Sequence, residues 1–175
     1  MKKNYLVATF VFFTGGFFAS AVLADDDILA KFKGGIGAIP VSSGVGTAAT
    51  AEVVNRNIVR GVQPPGQIWR IADLKAEVKV NGDIKVDGQG LVLGGGNNVG
   101  RATGQSVFAT LICEAAAPFT ERSTTSTGVA LADNGDFKID DVLVPLPPAT
   151  CASPMLLIRT AGSGNWFAAG IVKFD

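Results

Sequence analysis

Two cysteines, four clustered aspartates and one glycine-rich loop are the residues of this 175-residue chain whose types and spacing could do chemistry. Cys113 and Cys151 stand 38 positions apart. In an exported protein such a pair is more often a structural bridge than a redox couple. A nucleophilic cysteine would need a base at hand, and only carboxylates and lysines are on offer, because the chain has no histidine. The same lack removes a Ser-His-Asp triad, a Cys-His pair and an imidazole-ligated metal. The expectation is a disulfide between Cys113 and Cys151.

Asp133, Asp136, Asp140 and Asp141 form the densest acidic cluster. Oxygen ligands alone can hold calcium, but the spacing is not that of an EF-hand loop. Asp140 and Asp141 would also face opposite ways along a strand. The plainer reading is a solvated turn around Asn134-Gly135. A carboxylate pair could serve a glycosidase, yet nothing fixes two of them at a useful separation. Gly162-Ser163-Gly164 lacks the nucleophile-elbow pattern. No catalytic set emerges, and no cofactor or metal is expected.

Residues 94–100 read Gly-Gly-Gly-Asn-Asn-Val-Gly. They invite a phosphate-loop reading but lack the Lys-Ser/Thr ending and open no helical pattern. A hairpin loop fits better. Residues 94–105 exceed the usual hairpin connection, and long loops are often functional. Asn97 and Asn98 supply amides, and Arg101, the one charge, could clamp a carboxylate or phosphate. This is the expected interaction surface. Its rival is a permissive spacer, since added loop length costs little stability.

These residues need a scaffold, and the chain supplies strands. Lys2 and Lys3, an apolar run from Tyr5 to Phe18, and Val22-Leu23-Ala24 before Asp25 have the order of a cleavable signal. Residues 1–24 are read as that signal, and residues 25–175 as one domain. Beyond Ala24 there are 13 basic and 15 acidic residues, a net of −2. So even a balance argues against a nucleic-acid binder. No later segment is apolar enough for a transmembrane helix.

Leu74, Ala76, Val78 and Val80 alternate with Lys75, Glu77 and Lys79, and Asn81-Gly82 follows at once. The pattern predicts a hairpin with one wet face and a two-residue type I′ turn. Residues 91–93 extend or bend its second arm. Further strands are predicted over residues 106–114, 127–131, 137–140, 155–160 and 166–174, with shorter ones at 36–41, 58–62 and 68–71. Residues 48–54 are left as one helical turn or a loop. Short strands and Gly/Pro turns predict an all-β fold: an antiparallel β-sandwich of about eight strands, immunoglobulin-like in general architecture, with one disulfide tying two strands.

A resemblance accompanies this reading. Phe32 to Val41, Ile58 to Val62, Pro65-Gly66, Trp69, Gly90 to Gly96, Ser106 to Cys113, Cys151 to Pro154 and Trp166 to Gly170 carry it. On these stretches the chain resembles a group of uncharacterised secreted bacterial β-rich proteins with no known activity. The resemblance implies a secreted β protein and transfers no catalytic residue. Three functional classes follow. The first is an exported, non-catalytic structural or binding module of the periplasm or cell exterior, with an extracellular or envelope partner. The second is a carboxylate- or calcium-dependent secreted hydrolase. The third is a small outer-membrane β-barrel, suggested by chain length and by a final strand sharing Trp166, Ala168, Val172 and Phe174 on one face.

Overall fold

The computed structural model describes residues 28–45 and 53–174. The expected signal and its cut after Ala24 lie outside the described residues. The chain forms β1 (Ile28–Gly37), β2 (Val41–Val45), β3 (Val53–Arg56), β4 (Trp69–Arg70), β5 (Asp73–Lys79), β6 (Asp83–Gln89) and β7 (Val92–Leu93). It continues with β8 (Ser106–Ile112), β9 (Arg122–Ser123), β10 (Val129–Ala130), β11 (Phe137–Val142), β12 (Met155–Thr160) and β13 (Trp166–Val172). No helix occurs among the described residues.

Nine strands share one antiparallel sheet in the order β10-β8-β12-β13-β1-β5-β6-β11, with β9 also beside β8. The two ends of that path curl towards each other. Ser123 of β9 and Val144, just past β11, exchange both backbone hydrogen bonds at 2.9 Å. The result is close to a barrel. The expected all-β, antiparallel, disulfide-linked fold is present, but its division into two facing sheets is not shown. Register shifts in β1, between Phe32 and Gly35, and between β12 and β13, at Ile158/Arg159, mark irregularities of the kind that bend a sheet.

The hairpin of β5 and β6 shows what decides a register. Leu74, Ala76, Val78, Ile84 and Val86 are all buried. A two-residue turn centred on Asn81-Gly82 would set Val78 opposite Lys85 and drive a lysine inward. Instead Val78 faces Ile84, and Ala76 faces Val86. The loop therefore takes three residues, Val80, Asn81 and Gly82. The Gly82 N–H donates to Lys79 O at 3.0 Å, and Gly82 has φ +91°. This is a type I turn closed by a left-handed glycine. The predicted left-handed glycine is found; the type I′ turn and Val80 as a strand residue are not.

Three other expectations change. Residues 58–62 form a tight turn, Val59 bridging to Val62, with Arg60 at φ +47° and Gly61 at φ +87°. Residues 36–41 straddle the end of β1 and the start of β2. Val53 and Val54, placed in the helical-turn alternative, belong to β3, which pairs with β2; residues 48–52 lie outside the described set.

The core fills the sheet's interior with Leu74, Val78, Ile84, Leu111, Leu143, Leu156 and Ile158, each 0% exposed. Burial differs around the wall. In β5 and β6 every second residue is buried, so one face meets solvent. In β8 residues 107–112 are buried without a break, so both faces are covered. The segment from Asn57 to Arg70 lies against β13. Trp69 stacks on Phe167 at 4.0 Å between ring centroids, and Trp166 Nε1 donates to Asn57 O at 3.0 Å.

Candidate functional site

The disulfide anchors one rim. Cys113 follows β8 and Cys151 precedes β12, with Cα atoms 4.7 Å apart. The bridge joins neighbouring strands of one sheet, since Ile112 already pairs with Met155. It ties two strands, as expected, and these are adjacent in one sheet rather than in two facing ones. Arg60, from the tight turn, donates to Ile112 O at 2.9 Å and to Ser153 O and Oγ at 2.5 and 2.6 Å. Burial holds its guanidinium below the ordinary value, and Glu114 partly offsets this. Every contact here is structural.

Glu114 completes the rim. Arg122, 8% exposed, donates to both its oxygens, at 2.9 and 3.4 Å. Those hydrogen bonds hold the Glu114 carboxyl down at about 2; burial opposes the shift and the Thr120 N–H assists it. A depressed carboxyl stabilises the fold fully above its unfolded value of 4.5, and that stability is lost as pH falls through about 2. Glu114→Ala should leave the Arg122 guanidinium buried with Thr120 O as its remaining partner, costing on the order of 2 kcal/mol near neutral pH. Urea unfolding from pH 7 to pH 2 checks this. The variant's deficit should shrink below pH 4.5, and a deficit independent of pH would count against the pairing.

The four aspartates do not converge. Asp136 accepts from Gly90 N and Asn134 Nδ2, and Asp141 accepts from Thr125 N and Val142 N. Asp140 pairs with Lys85. Among the described residues no group of three or more Cys, Asp or Glu side chains is placed to hold a metal ion. Asp133 alone turns elsewhere, towards the glycine-rich loop.

That loop folds back on its own stem. The Gly100 N–H donates to Leu93 O at 2.8 Å, the Leu93 N–H to Arg101 O at 3.0 Å, and the Gly94 N–H to Ile68 O at 2.8 Å. Ala102 then plugs into the core at 1% exposure. The chain leaves through Thr103 at φ +55° and Gly104 at φ +67°. Left-handed backbone costs a β-branched residue and persists only where its surroundings impose it. A pocket of about 360 Å³ opens between Asn98, Arg101, Thr103, Gly104 and Asp133. Of the three residues singled out in the sequence, Asn98 and Arg101 line it. Asn97 is exposed outside it. The sequence groups Asp133 with the aspartate cluster, 28 positions beyond the end of the loop, and singles out nothing at Thr103, whose backbone no sequence signal marks.

A second feature was legible and missed. Asn81-Gly82-Asp83-Ile84-Lys85-Val86-Asp87 recurs as Asn134-Gly135-Asp136-Phe137-Lys138-Ile139-Asp140, with five of seven residues identical. Both copies build the same turn. Gly135 N–H donates to Ala132 O at 2.8 Å as Gly82 N–H does to Lys79 O, and each asparagine bonds to the aspartate two residues on. The two copies then pair antiparallel as β6 and β11 about the Val86–Ile139 pair. Lys85 meets Asp140 at 3.4 Å, and Asp87 meets Lys138 at 3.1 Å. A local two-fold results.

Comparison of the chain with protein-family models, with curated proteins and with solved structures returns no match.

Proposed function

We propose that the chain is an exported, non-catalytic binding module that meets an extracellular or envelope partner through the rim pocket of Asn98, Arg101, Thr103 and Asp133. The observation that carries this reading is the pocket's construction. A long loop is tied to its stem by backbone hydrogen bonds, and it holds a strained threonine beside an arginine and an aspartate. Loops held on a rigid scaffold are where binding groups concentrate. Arg101 suits a carboxylate or phosphate, with Asn98 adding an amide and Asp133 accepting a donor.

Export rests on the signal-like start and on a disulfide compatible with an oxidising compartment. An outer-membrane barrel is disfavoured by the pattern of the wall. Such a barrel carries its apolar band outward, whereas β5 and β6 bury their apolar residues and expose Lys75 and Lys85.

Protein recovered from the periplasm or medium should begin at Asp25 by N-terminal mass spectrometry. Immobilised, it should retain an envelope or medium component that an Asn98→Ala/Arg101→Ala variant retains at least tenfold less, with unchanged melting temperature. Equal retention by both proteins removes the loop from the proposal. A chain starting at Met1 removes export.

A further inference from the structure

We propose that a second pocket, between the β12–β13 turn and the loop before β4, binds a neutral saccharide. It measures about 420 Å³ and shares only Thr103 with the rim pocket, so the two proposals stand or fall separately. That volume lies within the range of roughly 300–1,000 Å³ usual for small-ligand sites. Not one of its lining residues is charged, in a chain where 17% of residues are.

Segments distant in sequence build the pocket. Trp69 and Phe167 close its floor, their rings stacked at 4.0 Å between centroids. The turn between β12 and β13 is tied down by its own hydrogen bonds. Arg159 Nε donates to Gly164 O at 2.6 Å, the Gly164 N–H to Thr160 O at 2.9 Å, and the Thr160 N–H to Asn165 O at 2.9 Å. Ser163 and Asn165 join the lining from this fixed turn. Gln67, from the loop before β4, and Thr103 and Gln105, from the stretch before β8, add to it.

The hydrogen-bonding capacity left unspent selects the ligand. Gln67, Thr103, Ser163 and Asn165 make no side-chain hydrogen bond among the described residues. Gln105 Oε1 accepts from Thr160 Oγ1 at 3.2 Å, which leaves the Gln105 amide N–H groups free. The Trp69 indole N–H has no acceptor among the described residues, whereas that of Trp166 is taken by Asn57 O. Amides together with hydroxyls offer both donors and acceptors, and sugar hydroxyls need both.

Other ligand classes fit worse. With no cation in the lining, a phosphate or carboxylate group would lose water without gaining a counter-charge. Trp69 and Phe167 spend one face on each other and are only 4% and 5% exposed, so no platform remains for a nucleobase to stack on. A peptide adding as a strand needs open backbone groups. Those at this border are taken: the Trp69 N–H by Ala38 O, the Leu93 N–H by Arg101 O, and Leu93 O by the Gly100 N–H. What remains free is uncharged side chains and one indole N–H above an apolar floor. A sugar ring, with hydroxyls around its edge and C–H groups on its face, matches that arrangement.

The probes are cellotriose, maltotriose and triacetylchitotriose, each titrated into the isotope-labelled exported chain and followed by its two indole N–H resonances. At least one should bind saturably at millimolar concentration, shifting the Trp69 resonance and leaving that of Trp166 in place. Gln67→Ala, at an exposed position, should weaken binding at least threefold. Gln67→Ala/Asn165→Ala should weaken it at least tenfold, with the Trp166 resonance unchanged as the sign of an intact fold. Asn98→Ala/Arg101→Ala, in the rim pocket, should leave it within twofold. The proposal is overturned if none of the three sugars binds, if both Gln67 variants bind like wild type, or if the rim-pocket variant is the one that loses binding. Tighter binding of trigalacturonate, or of the uncharged peptide acetyl-trialanine amide, also overturns it.

Discussion

Replacing Cys113 and Cys151 together by serine should lower the unfolding free energy by up to about 4 kcal/mol. The bridge closes a loop across 38 positions, and the lost restraint falls on the unfolded chain. The native rim should persist without it. Ile112 still pairs with Met155, the Ser153 N–H still donates to Cys113 O at 3.0 Å, and Arg60 still clamps Ile112 and Ser153. The figure is an upper one, because residual structure in the unfolded chain reduces it. A loss of this size is comparable with the whole stability of a small domain. Urea unfolding of oxidised wild type and the double serine variant measures the difference. A thiol assay on unreduced, denatured wild type should find no free thiol. Free thiols, or stabilities within about 0.5 kcal/mol of each other, would reject the structural role.

Gly135→Ala should destabilise distinctly more than Gly82→Ala, although the two glycines hold the same place in the repeated turn. Both have left-handed backbone, φ +83° and +91°, so each alanine pays roughly 1–2 kcal/mol of conformational strain. Their surroundings differ. A Cβ on Gly82 would meet Leu146 Cδ2 at 2.8 Å, the end of an exposed side chain that can swing away. A Cβ on Gly135 would lie 2.5 Å from both N and O of Leu91. Leu91 is fully buried, and its N–H donates to Gly135 O at 2.9 Å, so relief requires moving backbone that leads into β7. Overpacking of this kind adds roughly 1–3 kcal/mol. Thermal unfolding of the two single variants decides the matter. Equal shifts in melting temperature would show that Leu91 yields freely.

Much of the wall was legible because its signals are local. Period-two alternation over residues 74–79 places apolar side chains on one face whatever the partner strand, and β12 spans the same residues as its prediction. Gly82 was legible because few other residues tolerate its backbone. The turn around it was misread because its type depends on which residues face each other. Burial of Ile84 and Val86 opposite Val78 and Ala76 outweighed the local preference of Asn-Gly. Residues 28–33 also alternate, yet their role in bridging β13 and β5 has no local signature.

For the candidate sites the division is sharper. The sequence by itself determined which chemistries are missing, the pairing of its only two cysteines and the loop that carries Arg101. Tertiary structure alone brought Asp133 to that loop, gave Thr103 its left-handed backbone and curled nine strands towards closure. It also gathered Gln67, Gln105 and Asn165, from three separate segments, around Trp69 and Phe167. A strand's alternation tells which way each side chain points, but not which strand lies beside it. Pockets are lined by neighbours distant in sequence, and the register that brings strands together is set by the burial of one face.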